Sequence, residues 1–281
     1  MAVKIVTDSL SDITSDIAQG LGITIVPLTV SFGKESFLDR VTITTDEFYY
    51  KLTHDPNWPI TTQPPPADFT KIYTELAKET NEILVITLSS KLSGTYQSAL
   101  NAKSMMGQEC RIELIDSQTV AMGLGLIVIA AAKTAQAGAS LDEVTNLARR
   151  AMSRSHLFAF FDTLKYLAKG GRIGKAQGLL GAMLSVKPIL TVKDGEMSPL
   201  TRVRSHAAGM DYLYNSVAGF SHIEELAVEH ATTPDDADSL IERLGSLFPK
   251  ERIYRSTLSP VVGTYAGPGA IAITVLEAEG K

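Results

Sequence analysis

The sequence predicts an α/β protein of two domains, an N-terminal α/β domain with a largely parallel sheet (1–155) and a C-terminal α+β domain (156–281). Three observations carry this. Short, continuous apolar runs, each followed by a segment of helical spacing, recur through the first half, the pattern of strands covered on both faces. The rhythm changes after a polar, basic stretch at Arg149 to Arg154. Finally, 281 residues that are 44% hydrophobic and 20% charged supply one large core or two smaller ones.

The first element is the β-rich run Val3 to Val6, closed by Thr7-Asp8-Ser9. Thr14 to Leu21 then has helical spacing and ends between Gly20 and Gly22, completing a βα unit. Thr53 to Pro66 is rich in proline and polar residues, and Asp55-Pro56 and Trp58-Pro59 hold the chain extended before each ring. It reads as an ordered loop leading into a helix over Ala67 to Ala77. Ile83 to Leu88 and Ile112 to Ile115 are further strands. Val120 to Ala132 is the longest apolar tract, short of the roughly 20 residues a membrane span needs, and reads as a buried helix. In the second half, Phe158 to Phe161 is extended, and Pro188 to Val192 turns at Asp194-Gly195 into Leu200 to Val203 as a hairpin. Helix (Ala207 to Val217), strand (Leu226 to His230), helix (Ala237 to Leu247) and strand (Arg252 to Leu258) follow.

Several function classes are disfavoured. A net charge of -5 and a pI near 5.6 leave no basic footprint for nucleic acid and argue against unaided adsorption to anionic membranes. The single cysteine, Cys110, forms no internal disulfide, and the N-terminus lacks the pattern of a secretion signal; both fit a cytoplasmic protein. His54, His156, His206, His222 and His230 show no metal-ligand spacing, so no metal is expected. Lys169-Gly170-Gly171-Arg172-Ile173-Gly174-Lys175 is one residue short of a P-loop and has Ala176 where Ser or Thr is required. Gly123-Leu124-Gly125 lacks the third glycine of a dinucleotide fingerprint, and no nucleophile elbow is present. No cofactor and no self-sufficient catalytic machinery are expected.

What remains is a set of small-hydroxyl, Gly/Pro-rich motifs where periodic segments end. In open α/β proteins such loops gather at one crevice, and here they suit a small anionic head group. Ser93-Gly94-Thr95 follows a strand and precedes a helix. Ser93 reads as the N-cap, either serving only its own helix or placing the helix start and its free N–H groups behind an anion. Thr61-Thr62-Gln63-Pro64-Pro65-Pro66 either holds the Thr62 hydroxyl rigidly or simply leads into the next helix. Asp8 and Asp116 each close a strand within Asp-Ser, and hydrogen-bonding of their own turns is the favoured role for both.

Thr7-Asp8-Ser9-Leu10-Ser11-Asp12, Thr62-Gln63-Pro64, Ser89 to Ala99, Asp116-Ser117, Leu164 to Ile173, Lys187-Pro188-Ile189-Leu190 and Gly267-Pro268-Gly269 together resemble the DegV family, in order along nearly the whole chain. The resemblance implies a two-domain protein that binds a long-chain fatty acid between its domains. It also implies a role as the fatty-acid-binding subunit of a fatty acid kinase, whose separate ATP-using subunit phosphorylates the acyl carboxylate. Transient membrane contact would accompany exchange of the cargo. On these terms Thr62 and Ser93 hydrogen-bond the carboxylate with Gly94 and Thr95 behind it. Arg202, Tyr265, Gly267 and Gly269 lie near the head group, and Arg172 docks on the kinase. Where many members carry His in a Gly-Thr-His pattern, this chain reads Gly263-Thr264-Tyr265. A tyrosine hydroxyl donates a hydrogen bond but does not exchange protons near neutral pH as imidazole does.

A buried methylene contributes about 0.8 kcal/mol, so about fourteen of them contribute on the order of 11 kcal/mol before ordering costs, against roughly 1 kcal/mol per head-group hydrogen bond. The tail would supply affinity and the hydroxyls orientation. Two alternatives stand beside the carrier: a stand-alone α/β enzyme acting on a small carboxylated or phosphorylated metabolite, with Asp8 or Asp116 as general base, and a regulatory module that reports lipid abundance.

Overall fold

The computed structural model describes residues 3–107, 110–180 and 186–280, so Met1, Ala2 and Lys281, the outer ends of the two expected domains, lie outside it. The chain opens with β1 (Lys4–Asp8), α1 (Ser15–Leu21) and β2 (Ile23–Val26), the expected βα unit carried on to its parallel partner strand. β3 (Thr29–Phe32), β4 (Glu35–Leu38), α2 (Thr45–His54) and β5 (Ile60–Thr62) follow. Then come α3 (Pro66–Leu76), β6 (Glu82–Thr87), α4 (Thr95–Ser104), β7 (Arg111–Asp116), α5 (Met122–Gln136) and α6 (Leu141–Arg154).

Strands β2-β1-β6-β7 form a four-stranded parallel sheet. β6 is buried almost throughout, which explains its continuous apolar run. The carboxyl ends at Asp8, Thr87 and Asp116 therefore line one edge, as the loop motifs require. A separate antiparallel sheet, β4-β3-β5, arises where patterning predicts none, and β5 lies inside the expected loop. These strands have three or four residues each, and β4 carries little buried surface, so no clear alternation marks them. The basic stretch at Arg149 to Arg154 is the last part of α6. That helix opens with a Ser140/Glu143 capping box and buries Leu141, Val144, Ala148 and Ala151.

The second half holds β8 (Ser155–Phe160), α7 (Lys165–Lys169), β9 (Lys187–Lys193), β10 (Glu196–Val203), α8 (His206–Ala218), β11 (Ile223–His230), α9 (Pro234–Leu244), β12 (Ile253–Thr257), α10 (Pro260–Ala266) and β13 (Ile271–Glu277). Its six strands make one mixed sheet, ordered β10-β9-β8-β13-β11-β12, in which β11 and β12 run parallel and the other pairs antiparallel. Asp194 and Gly195, both at positive φ, close the expected β9-β10 hairpin.

α6 passes into β8 at Arg154-Ser155 with no linker. α5 joins the two halves. It packs on β1 and β6 on one side and on β8, β11 and β13 on the other, and is buried nearly all round, as its sequence requires. One apolar cluster accordingly runs from Ile5 through α5 to Leu276.

Candidate functional site

A cavity of about 880 Å³, open mouth included, lies between the carboxyl edge of the parallel sheet and the six-stranded sheet. The loops after the parallel strands contribute Leu10 (after β1), Leu88 and Leu92 (after β6), and Val120 and Ala121 (after β7). The other wall comes from Leu157 and Ala159 of β8, Phe161, Met197 of β10, and the segments around α10 and β13. Leu157 and Phe161 both line it, so the apolar wall runs about 13 Å along β8 at about 3.3 Å per residue.

Apart from Thr61, Gln63, Ser93, Arg172 and Tyr265, every lining residue is apolar. These five sit together. The Thr61 and Tyr265 hydroxyls hydrogen-bond each other. The Arg172 guanidinium lies 5.1 Å from the centre of the Tyr265 ring and donates from Nε to the Leu92 carbonyl at 3.2 Å, one residue from Ser93. The Ser93 Oγ contacts Thr95 Oγ1 at 2.9 Å and accepts the Thr95 N–H at 3.3 Å. The Gln63 amide lies against Gly94, where a Cβ would come within 2.4 Å of Nε2. The Tyr265 ring lies just as close to Gly170. Gly170 is therefore needed as bare backbone under the Tyr265 ring, whereas the flexible Gln63 amide can swing away from a side chain at Gly94. Outside this end, Trp58 stacks on Tyr166 with ring centres 5.2 Å apart, and the Lys169 ammonium sits 3.7 Å over the indole.

The structure shifts several expected positions. Thr62 is exposed and lies outside the cavity; Thr61 lines it instead. Successive strand side chains face opposite ways: in the β5–β3 ladder Thr61 stands opposite fully buried Val30, and Thr62 opposite half-buried Thr29. Ser93 lines the cavity but is not the N-cap of α4. Its N–H donates to the Ser89 carbonyl at 3.2 Å in a preceding turn, which leaves Gly94 as the cap and Thr95 as a buried first residue. Arg202 lies opposite Pro188 on the edge strand β10, exposed and outside the lining, so the guanidinium beside the polar end is that of Arg172. Gly267 and Gly269, at φ +75° and +76°, do not line the cavity; their bare backbones accommodate Tyr166 and Asp162.

Asp8 and Asp116 both hold local loops. Asp8, fully buried, accepts the Leu10 N–H at 3.0 Å and the Leu88 N–H at 2.8 Å. Burial pushes its carboxyl up to about 7 even though those two N–H groups pull it down. Asp116 accepts the N–H groups of Ser90 and Gln118. Neither lines the cavity. Sequence reasoning missed α10, which supplies Val261, Val262 and Tyr265, although Ser259-Pro260 is a readable helix start: Ser259 Oγ accepts the Val262 N–H. Among the described residues no helix is long and apolar enough to cross a membrane.

Residues 2–278 match the family model described as "Uncharacterised protein, DegV family". A DegV domain-containing protein of Caldanaerobacter subterraneus subsp. tengcongensis is 37% identical over 275 residues, 96% of this chain and 97% of that one. Among solved structures, a DegV family protein from Thermus thermophilus, described as fatty acid binding, is 31% identical with a TM-score of 0.91, over 99% of this chain and all of that one. DegV from Bacillus subtilis, described as a fatty acid binding protein, is 28% identical with a TM-score of 0.89 over the same shares. With a family match spanning nearly its whole length and a relative above 30% identity throughout, this chain belongs to the DegV family.

Proposed function

We propose that this chain binds one long-chain fatty acid, with the tail in the apolar cavity and the carboxylate at its polar end, and presents that carboxylate to a separate ATP-dependent fatty acid kinase. The observation that carries the reading is the division of the cavity surface into an apolar wall and one polar cluster. An acyl chain gains its affinity from such a wall, and two or three hydroxyls suffice to fix its end. The fatty acid binding described for the Thermus and Bacillus relatives supports the same ligand. Thr61 and Ser93 would donate to the carboxylate, with Tyr265 as a further hydroxyl donor. Neutral donors leave the carboxylate open to a phosphoryl donor, whereas a buried arginine would close on it as a bidentate pair.

Arg172 is exposed at the cavity mouth, which suits both balancing negative charge there and meeting a kinase surface. In this reading the chain works in the cytoplasm as a carrier, needs no cofactor, makes brief contact with membranes to exchange cargo, and turns over no substrate alone. Native mass spectrometry of the purified protein tests the core of the proposal. An adduct of fatty acid mass at about one per chain is expected; no adduct after incubation with a panel of fatty acids rejects it. Charge reversal at Arg172 (Arg172→Glu) should abolish stimulation of the kinase even by protein that the same measurement shows to be loaded with fatty acid; full stimulation by loaded Arg172→Glu protein rejects the docking role.

A further inference from the structure

Four carboxyl groups lie buried beside the cavity without forming its surface. Asp8 ends β1, Asp12 follows the turn after it, Asp39 follows β4, and Glu229 sits in β11; none is more than 1% exposed. Among the described residues, the cation that pairs with them is Arg40, 3.0 Å from Asp12 and also donating to the Ser9 carbonyl. The remaining bonds of the four groups reach the cavity wall. Asp8 holds Leu10 and Leu88 by their N–H groups. Asp39 accepts the Ser9 hydroxyl at 2.7 Å, and that hydroxyl accepts the Leu28 N–H. Glu229 accepts the Met122 N–H at 3.0 Å, next to Ala121, a non-glycine residue held at φ +59°. Asp12 accepts the Ser259 N–H at 3.2 Å, at the start of the helix that carries Tyr265.

Asp12 and Glu229 come from opposite halves of the chain and are neighbours: the Asp12 carbonyl accepts the Ser256 hydroxyl at 2.5 Å, and Ser256 stands opposite Glu229 in the β11–β12 ladder. Once their other bonds are counted, Asp12 Oδ2 and Glu229 Oε1 have no donor. Two ionised carboxylates cannot hydrogen-bond, whereas one proton shared by a buried neighbouring pair would give both orphaned oxygens a partner. We propose that Asp12 and Glu229 form a one-proton clamp across the two halves, and that release of this proton to solvent loosens α10 and the cavity wall and lets the ligand go.

Burial raises both groups, Glu229 well above the usual carboxylate range, and Arg40 pulls each back only in part. The groups facing the pair are Asp8 from β1, Asp39 and Arg40 from the segment after β4, and the Tyr49 hydroxyl from α2. His230, next along β11, has Arg255 and Asp238 as its charged neighbours. Losing the shared proton therefore adds a negative charge to a site where three other carboxyl groups face one guanidinium, and repulsion then acts across the seam.

The release step rests on the fatty acid reading; the clamp does not, and the test separates them. Thermal midpoints of ligand-free protein and dissociation constants for palmitate are measured from about pH 6 to about pH 9, for wild type and for Glu229→Gln, whose amide supplies an N–H at every pH. For wild type, affinity should fall by up to about tenfold per pH unit, the limit for one linked proton, and the midpoint should fall with it. In Glu229→Gln both slopes should become shallower by the share of that one proton, the part due to Asp8 and Asp39 remaining. A flat wild-type profile, or equal slopes in the two proteins, overturns the clamp. If palmitate binds at no pH, the fatty acid reading fails while the ligand-free midpoints still decide the clamp. If Glu229→Gln does not fold, the side-chain carboxyl carbon resonances of wild type decide: two widely separated titration steps support a shared proton, and two steps in the ordinary carboxylate range overturn it.

Discussion

Thr61 and Thr62 are adjacent and chemically identical, yet only Thr61 faces the cavity. Replacing Thr61 by Val removes a head-group donor of about 0.5–1.5 kcal/mol and should weaken fatty acid binding by about 2- to 10-fold in calorimetry. Thr62→Val, on the exposed face, should leave affinity unchanged. Loss of affinity at Thr62 and not at Thr61 would reverse this assignment. Gly267 makes a second residue-scale point. Its φ of +75° with ψ of 172° belongs to a region open essentially only to glycine, and a Cβ there would sit 2.2 Å from the Tyr166 ring. Gly267→Ala should lower the urea midpoint by an amount equivalent to at least about 1–3 kcal/mol. A Gly267→Ala protein as stable as wild type would show that the loop moves aside at little cost.

At the level of elements, α10 connects the buried carboxyl groups to the cavity mouth. Ser259, fully buried, caps the helix by accepting the Val262 N–H, while its own N–H donates to Asp12. Ser259→Ala should destabilise the protein by about 1 kcal/mol through loss of the cap, and more if the Asp12 contact loosens as well. Equilibrium denaturation measures the first effect, and hydrogen exchange of the α10 amides the second. α10 also marks the limit of what the sequence makes legible. Long apolar strands such as β6, the amphipathic helices and the Asp194-Gly195 hairpin announce themselves through period and turn chemistry. β3, β4 and β5 do not, because strands this short, paired only with each other, show no sustained alternation. Without β5, the sequence likewise offers no strand face to say which of Thr61 and Thr62 turns inward. Ser93 is legible from its Ser-Gly-Thr motif, and Arg172 and Tyr265 only through the family resemblance, whereas Asp12, Asp39 and Glu229 lie far apart in sequence and meet only after folding.

For the whole molecule, the buried carboxyl groups set the pH response. Asp8 and Asp39, both pushed up to about 7 chiefly by burial, start from an ordinary carboxyl value of 3.8. Between these limits the native state holds more protons than the unfolded chain, so stability is fullest below about pH 4 for these groups and is lost as pH rises through about 7. The urea midpoint should therefore decline from about pH 5 to about pH 8, and a midpoint rising across that window would contradict the burial of these groups as charged-state penalties. Because α5 packs on both sheets and one apolar cluster spans both halves, we propose that 1–155 and 156–281 are lobes of one cooperative unit. Calorimetry should show a single transition; two resolved transitions would make them independent domains.

Trp58, the chain's single tryptophan, is wedged between Tyr166 and Lys169 beside the cavity mouth. The molecule thus carries its own optical gauge. Indole emission responds to a stacked ring and to a cation 3.7 Å away, so any rearrangement of the Tyr166 segment on loading or unloading would change the colour and intensity of unlabelled protein. Cargo exchange could then be followed in real time in a stopped-flow cuvette, with no reporter group placed on the ligand.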